Sequence, residues 1–259
     1  MSATANPVVE EAGAGTLAGK AAVVTGAGRG IALALAKAGA DVAVLELDPV
    51  SGRATADDVI ALGRRAVAVA GSVRNPADCE AVVAAAVDAF GGIDILVNNA
   101  QQLRTGVALV DTTDDDMLTA WESGTLATLR LMRLCHPIMK ARGGGAIVNL
   151  GSGAGTEGIV GLGAYASAKE GIRGLTKVAA LEWGVDGIRV NTVCPWAASE
   201  YWEHMPEKLR DAQLRRNPMR RIGDCEEDVG RVVVFLAGDA ASYLTAQTLM
   251  VDGGNMGFR

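Results

Sequence analysis

Tyr165 and Lys169 stand four residues apart in the stretch YASAK, in a chain of 259 residues that has three tyrosines and six lysines. On a helix that spacing puts both side chains on one face, so the lysine's charge can act on the phenol's oxygen. Two readings fit: a proton-transfer device, or a solvated helix face carrying a chance pair. The rest of the chain has to decide between them.

A second set of residues suits a different task. The segment VVTGAGRGIALALA runs from an apolar strand pattern through a glycine-rich turn into a helical pattern. Gly26, Gly28 and Gly30 allow a tight turn and a close approach to a pyrophosphate, and the first-turn N–H groups of Gly30 and Ile31 would face that anion. Twenty residues beyond Gly26, at the end of the second apolar run, stands Glu46. A carboxylate there accepts from ribose hydroxyls and repels a 2′-phosphate, which favours NAD over NADP. Arg29 pulls the other way, because a guanidinium can pair with a 2′-phosphate. Asp48 is the alternative acid if the strand ends later.

The elements that must position these groups follow from patterning. Short apolar runs at 21–26, 41–47, 66–71, 93–99, 145–152, 188–195 and 247–254 have the look of strands buried on both faces. Between them, 31–38, 51–62, 77–90, 114–141, 164–183 and 225–237 have helical period and length. Alternation of this kind predicts an α/β fold: one doubly wound (Rossmann) parallel sheet of about seven strands flanked by helices. No linker or repeat divides it, so a single domain is expected over 17–259, after a flexible extension at 1–16. Residues 196–222 break the rhythm. Ligands bind beyond the carboxyl ends of such strands, so this excursion is placed as a substrate lid.

Composition removes several function classes. The net charge is −6, with 24 basic against 30 acidic residues and no basic run, so nucleic acid and anionic membranes are not expected partners. Cys79, Cys135, Cys194 and Cys225 are dispersed, and His136 and His204 are the two histidines, which predicts reduced packing thiols and no metal site. The N-terminal MSATANPVVEEAGAG has no apolar core, and no run of eighteen apolar residues occurs, so a cytoplasmic location is expected.

With TGAGRG, NNA at 98–100, Ser152, YASAK and the terminal VDGG in that order, the chain resembles the short-chain dehydrogenase/reductase family from about Leu17 to Gly254. Ser152 lies thirteen residues before Tyr165, the separation that family uses for its catalytic serine and tyrosine. The resemblance makes Ser152, Tyr165 and Lys169 catalytic and decides the YASAK question for proton transfer. Physics supports the roles. Free tyrosine ionises near pH 10, and a unit charge about 4 Å away contributes about 4 kcal/mol at an effective dielectric of about 20, equal to about three pKa units. Tyr165 would exchange the proton, Ser152 would donate to the developing oxyanion, and Lys169 would also hold the nicotinamide ribose. The resemblance further implies cofactor contacts at Ser72, Val73, Asn98, Ala100 and Pro195. Asn98 reads equally well as a buried side chain tying strands together.

Five departures from the family pattern stand out. Counting back from Pro137, the family's catalytic asparagine falls on Gly124, for which Ser123, Thr125 or water would have to substitute. NNAG reads NNAQ at Gln101, and Pro-Gly reads Pro195-Trp196, where the ring either stacks on a ligand or packs. The acid after the third strand is Ser72. The first helix is about four residues short, close to one turn, so either cofactor affinity suffers or the chain as given lacks a few residues there. A pocket lined by Gln101, Leu103, Gly153, Trp196, Tyr201 and Trp202 would suit a small, largely apolar alcohol or ketone. The alternatives are a dinucleotide-binding scaffold or regulator with impaired turnover, and an NADPH-dependent ketoreductase. Helices 114–141 and 164–183 resemble the pair through which family members form homotetramers.

Overall fold

Seven short runs rich in valine, alanine and isoleucine bury their backbone polar groups in the one way parallel strands allow, by pairing side by side. The computed structural model describes residues 15–26, 28–198 and 200–256, with only the backbone at Glu200 and Tyr201. The strands are β1 (Ala21–Thr25), β2 (Asp41–Glu46), β3 (Ala66–Ala70), β4 (Ile95–Asn98), β5 (Gly145–Leu150), β6 (Ile188–Pro195) and β7 (Thr248–Val251). They form one parallel sheet in the order β3-β2-β1-β4-β5-β6-β7, the doubly wound arrangement read from the sequence. Chain order reverses between β1 and β4, which opens a crevice beyond their carboxyl ends. Burial on both faces holds for the inner strands; the edge strands β3 and β7 are half-buried.

Helices cover both faces. On one side α1 (Arg29–Lys37), α2 (Pro49–Ala61) and α10 (Arg231–Ala237) pack with Leu17, Ile31, Leu35 and Val233. On the other, α3 (Pro76–Phe90), α5 (Ala127–Ala141) and α7 (Gly163–Trp183) close over Val23, Leu96, Leu131 and Ile147. Caps fix several starts. Asp48 accepts from the N–H groups of Val50 and Ser51, Asn75 from Ala77, and Thr113 and Asp116 form a capping box at the head of α4 (Asp114–Trp121). Asp48 is therefore occupied as a helix cap.

The helix expected over 114–141 is α4 and α5 joined by a π-turn, Glu122–Leu126, and the one expected from 225 opens with a second π-turn, Cys225–Gly230. Such turns insert a residue without ending the helix, so a 3.6-residue pattern does not show them. Beyond β6 the chain leaves the sheet. Ala198 N–H donates to Gly223 carbonyl at 2.8 Å and Gly223 N–H to Trp196 carbonyl at 3.2 Å, so the two ends of the 196–222 excursion are clasped. Within it lie α8 (Glu200–Glu203) and α9 (Glu207–Arg216), the latter with no buried residue. The segment 1–14, which includes most of the expected extension, lies outside the described residues.

Candidate active site

The carboxyl end of β5 gathers the reactive groups. Ser152 follows the strand and caps α6 (Gly153–Glu157): its Oγ accepts from Ala154 N–H at 3.1 Å. That leaves the hydroxyl proton to donate, and it reaches the phenol of Tyr165, presented by the first turn of α7. One turn further on, Lys169 is 3% exposed and donates to Leu150 carbonyl at 2.7 Å. Its ammonium lies 5.5 Å from the centre of the Tyr165 ring. The strand thus supplies the serine and the lysine's acceptor, and the helix supplies tyrosine and lysine on one face.

The electrostatics differ from the sequence expectation. Burial raises the Tyr165 pKa, with the Ser152 hydrogen bond pulling it back, and burial lowers Lys169 to about 8. Desolvation therefore sets the direction of both shifts. Cys194, also beside the site, is pushed up to about 11 by burial and stays a thiol.

The glycine turn is tight. Gly26 has φ of +63°, and a Cβ on it would lie 2.6 Å from Ala100 Cα. Gly26 N–H donates to Leu45 carbonyl and Gly28 N–H to Gly26 carbonyl, so both of these donors are committed. The groups left to face an anion are the first-turn N–H groups of α1, at Arg29, Gly30 and Ile31. A Cβ on Gly30 would lie 2.8 Å from Cys225 and Glu226, so this glycine permits contact between α1 and the second π-turn. The Ile31 side chain is in the core. Arg29 pairs with Asp58 at 2.7 Å.

Glu46 is 8% exposed; its Oε1 accepts from Leu47 and Asp48 N–H, and its Oε2 is buried with no partner. An orphaned acceptor at the end of β2 suits a ribose diol, and the turn that no Cβ can enter suits a closely approaching phosphate chain. These residues fit a dinucleotide. Near β3, Ser72 Oγ accepts from Arg74 N–H, and Asp78, which sequence reading passed over, accepts from Ser72 N–H at 2.8 Å. Val73 is buried, with its carbonyl taken by Arg130.

Asn98 donates to Asn149 Oδ1 at 2.8 Å, and Asn149 in turn to Thr176, which is the strand-tying arrangement. Its neighbour Asn99 reaches the turn, donating to Thr25 and Gly26 carbonyls. Strand alternation points the two residues to opposite sides, a signal available in the sequence. Pro195 ends β6 beside the site.

Among residues expected to line a pocket, Trp196 and Trp202 meet edge to face at 5.5 Å, and Trp202 is 9% exposed. Leu103 is exposed. Gln101 turns its amide into the helix, donating to Ala120 carbonyl. The Tyr201 side chain lies outside the described residues. Gly153 faces Met256, whose side chain would meet a Cβ there at 2.5 to 3.1 Å. Sequence reading had not assigned Met256, since nothing local marks a residue after the last strand. A cavity of about 530 Å³ opens beside Gln101, Leu103, Arg104 and Asp116; its lining does not include Ser152, Tyr165 or Lys169. No cluster suited to a metal ion occurs among the described residues, and no described helix is long and apolar enough to cross a membrane.

A doubly wound sheet with a serine, tyrosine and lysine gathered beyond β5 and a glycine turn beyond β1 defines a class of dinucleotide-dependent oxidoreductase. A family model described as enoyl-(acyl carrier protein) reductase matches residues 21–255. The 12alpha-hydroxysteroid dehydrogenase of Clostridium sp. is 39% identical over 254 residues, 93% of this chain and 98% of that one. The 3-oxoacyl-(acyl-carrier-protein) reductase FabG of Vibrio cholerae is 37% identical over 240 residues, 92% and 98% of the two chains. The solved structure of a 7 alpha-hydroxysteroid dehydrogenase with NADH and 7-oxo glycochenodeoxycholic acid is 30% identical, has a TM-score of 0.87 and covers 92% of this chain and 94% of its own. The chain belongs to the short-chain dehydrogenase/reductase family, whose members use a nicotinamide dinucleotide.

Proposed function

We propose that the protein interconverts a secondary alcohol and its ketone with NAD(H), on a small, largely apolar and cyclic substrate. The observation that carries this reading is the joining of Ser152, Tyr165 and Lys169 at one strand end. Bound NAD(H) supplies the hydride acceptor or donor. Tyr165 holds and moves the substrate's hydroxyl proton at its phenolic oxygen. Ser152 turns its single hydroxyl proton from the Tyr165 phenol to the substrate oxygen as charge grows on it. Lys169, at the interior end of the site, holds its ammonium against Leu150 and toward the tyrosine ring.

Two features support NAD over NADP. Glu46 presents an unpartnered carboxylate oxygen where a 2′-phosphate would lie, and the guanidinium of Arg29 is engaged with Asp58. The dehydrogenase names of two relatives, both directed at steroid hydroxyls, support an apolar ring system. The paired tryptophans Trp196 and Trp202 would form the inner face of a lid made by 196–222. Leu103 and Gly153 complete this reading of the pocket; the Gln101 amide, turned into the helix, is engaged elsewhere. A homotetramer built through α5 and α7 accords with exposed Leu126, Val178 and Leu181 on and beside those helices.

The test titrates NADH and NADPH separately by tryptophan fluorescence, then assays cyclic ketones and alcohols at 340 nm. NADH binding with turnover is expected. NADPH preference would transfer the reading to an NADPH ketoreductase, and binding without turnover on any member of the panel would transfer it to a scaffold.

A further inference from the structure

Two of the five departures from the family pattern meet in space. The Gln101 amide nitrogen donates to Gln102 carbonyl at 3.0 Å, Ala120 carbonyl at 2.9 Å and Ser123 Oγ at 3.2 Å. Carbonyl oxygens only accept, so the NH₂ end must face them and Oε1 must face away. Oε1 is buried, has no partner and lies against Gly124. A Cβ on Gly124 would overlap Oε1 and sit 3.0 Å from Cδ and 3.1 Å from Nε2. The carboxamide therefore fills the volume that a side chain at 124 would take. Ser123 strengthens the tie, accepting from Gln102 N–H and donating to Thr119 carbonyl.

The π-turn so braced bears on the helix that carries the reactive pair. Thr125 Oγ1 donates to Ala168 carbonyl at 2.8 Å, and Trp121 Nε1 donates to Ser167 Oγ at 3.2 Å. A Cβ on Gly171 would meet Thr125 Oγ1 at 2.9 Å. These contacts grip α7 immediately before and two residues after Lys169. We infer that Gln101 is a positioning residue for Lys169: its carboxamide stands in for the side chain absent at Gly124 and, through the π-turn 122–126, keeps the lysine buried in its working position. The catalytic part of this inference rests on the oxidoreductase reading; the structural part does not.

The test labels the six lysines with ¹³C and follows Lys169 through a pH titration by NMR, assigning its signal by loss in Lys169→Met. Tyr165 and Cys194, the titratable groups beside it, are both shifted upward, so a midpoint near 8 belongs to Lys169. Gln101→Ala opens the space over Gly124 and admits water, so the midpoint should rise by about half a pH unit or more toward the ordinary lysine value. Gln101→Ala/Gly124→Asn refills that space and should bring it back to within about 0.2 of wild type. An unmoved midpoint in Gln101→Ala, or no return in the double variant, overturns the inference. Should Gln101→Ala fail to fold, Gln101→Asn, one methylene shorter, must shift the midpoint the same way. With any ketone that turns over, Gln101→Ala should lower kcat about tenfold and leave the NADH Kd within about twofold. If wild type binds neither NADH nor NADPH, or turns over nothing, the oxidoreductase reading fails while the titration still decides the role of Gln101.

Discussion

Burial acts on Tyr165 and Lys169 in opposite senses, raising the phenol and lowering the ammonium to about 8, because each loses the water that would stabilise its charged form. The sign of the consequence follows. Ketone reduction needs the protonated phenol, which is abundant at neutral pH; alcohol oxidation needs its base form, which a raised pKa makes scarcer. Oxidation measured as kcat/KM should therefore climb steadily with pH above 7, whereas reduction should stay level there. For stability, a lysine whose folded pKa is lowered penalises folding while it is charged in both states, and the penalty fades as pH rises from about 8 to the unfolded value near 10.4. Lys169→Met should accordingly melt at a higher temperature than wild type at pH 7, be inactive, and lose that advantage by pH 10. Calorimetry at the two pH values checks it.

The elements show what periodicity can and cannot convey. Strand and helix limits were readable to within a few residues because glycine, proline, Asp48, Asn75 and Thr113 mark them chemically. The two π-turns were not readable, since each is a one-residue insertion confined to a single turn of a continuous helix and no residue type marks it. Gly30 illustrates the same gap: the motif suggests a phosphate contact, whereas its missing side chain is needed against Cys225 and Glu226. Gly30→Ala should thus cost about 1–3 kcal/mol by overpacking, read as a lower midpoint in urea unfolding. The four residues by which the first-helix segment falls short of the family pattern make a separate prediction. With the Gly26 and Gly28 N–H groups already committed, a four-residue insertion within 26–28 leaves the α1 register untouched and supplies new donors. NADH should bind at least about fivefold tighter, a gain of about 1 kcal/mol, in a calorimetric titration.

For the whole molecule, alternation of buried runs and helices was enough to define the sheet and the crevice at its reversal. Contacts made by residues distant in sequence were beyond it, as with Gln101 against Gly124 and Met256 against Gly153. Assembly is open to a direct measurement: Val178 and Leu181 on α7 are 52% and 80% exposed, and light scattering should give about four times the 26.6 kDa chain. Leu181→Glu, which charges that face, should reduce the scattering mass while leaving the circular dichroism of the subunit unchanged. The position of Met256 has a practical corollary. An affinity tag fused after Arg259 would begin four residues beyond Met256, whose side chain lies over Gly153, so purification handles belong at the amino end, and a loss of activity specific to carboxyl-terminal fusions would show that the thioether has to keep that place.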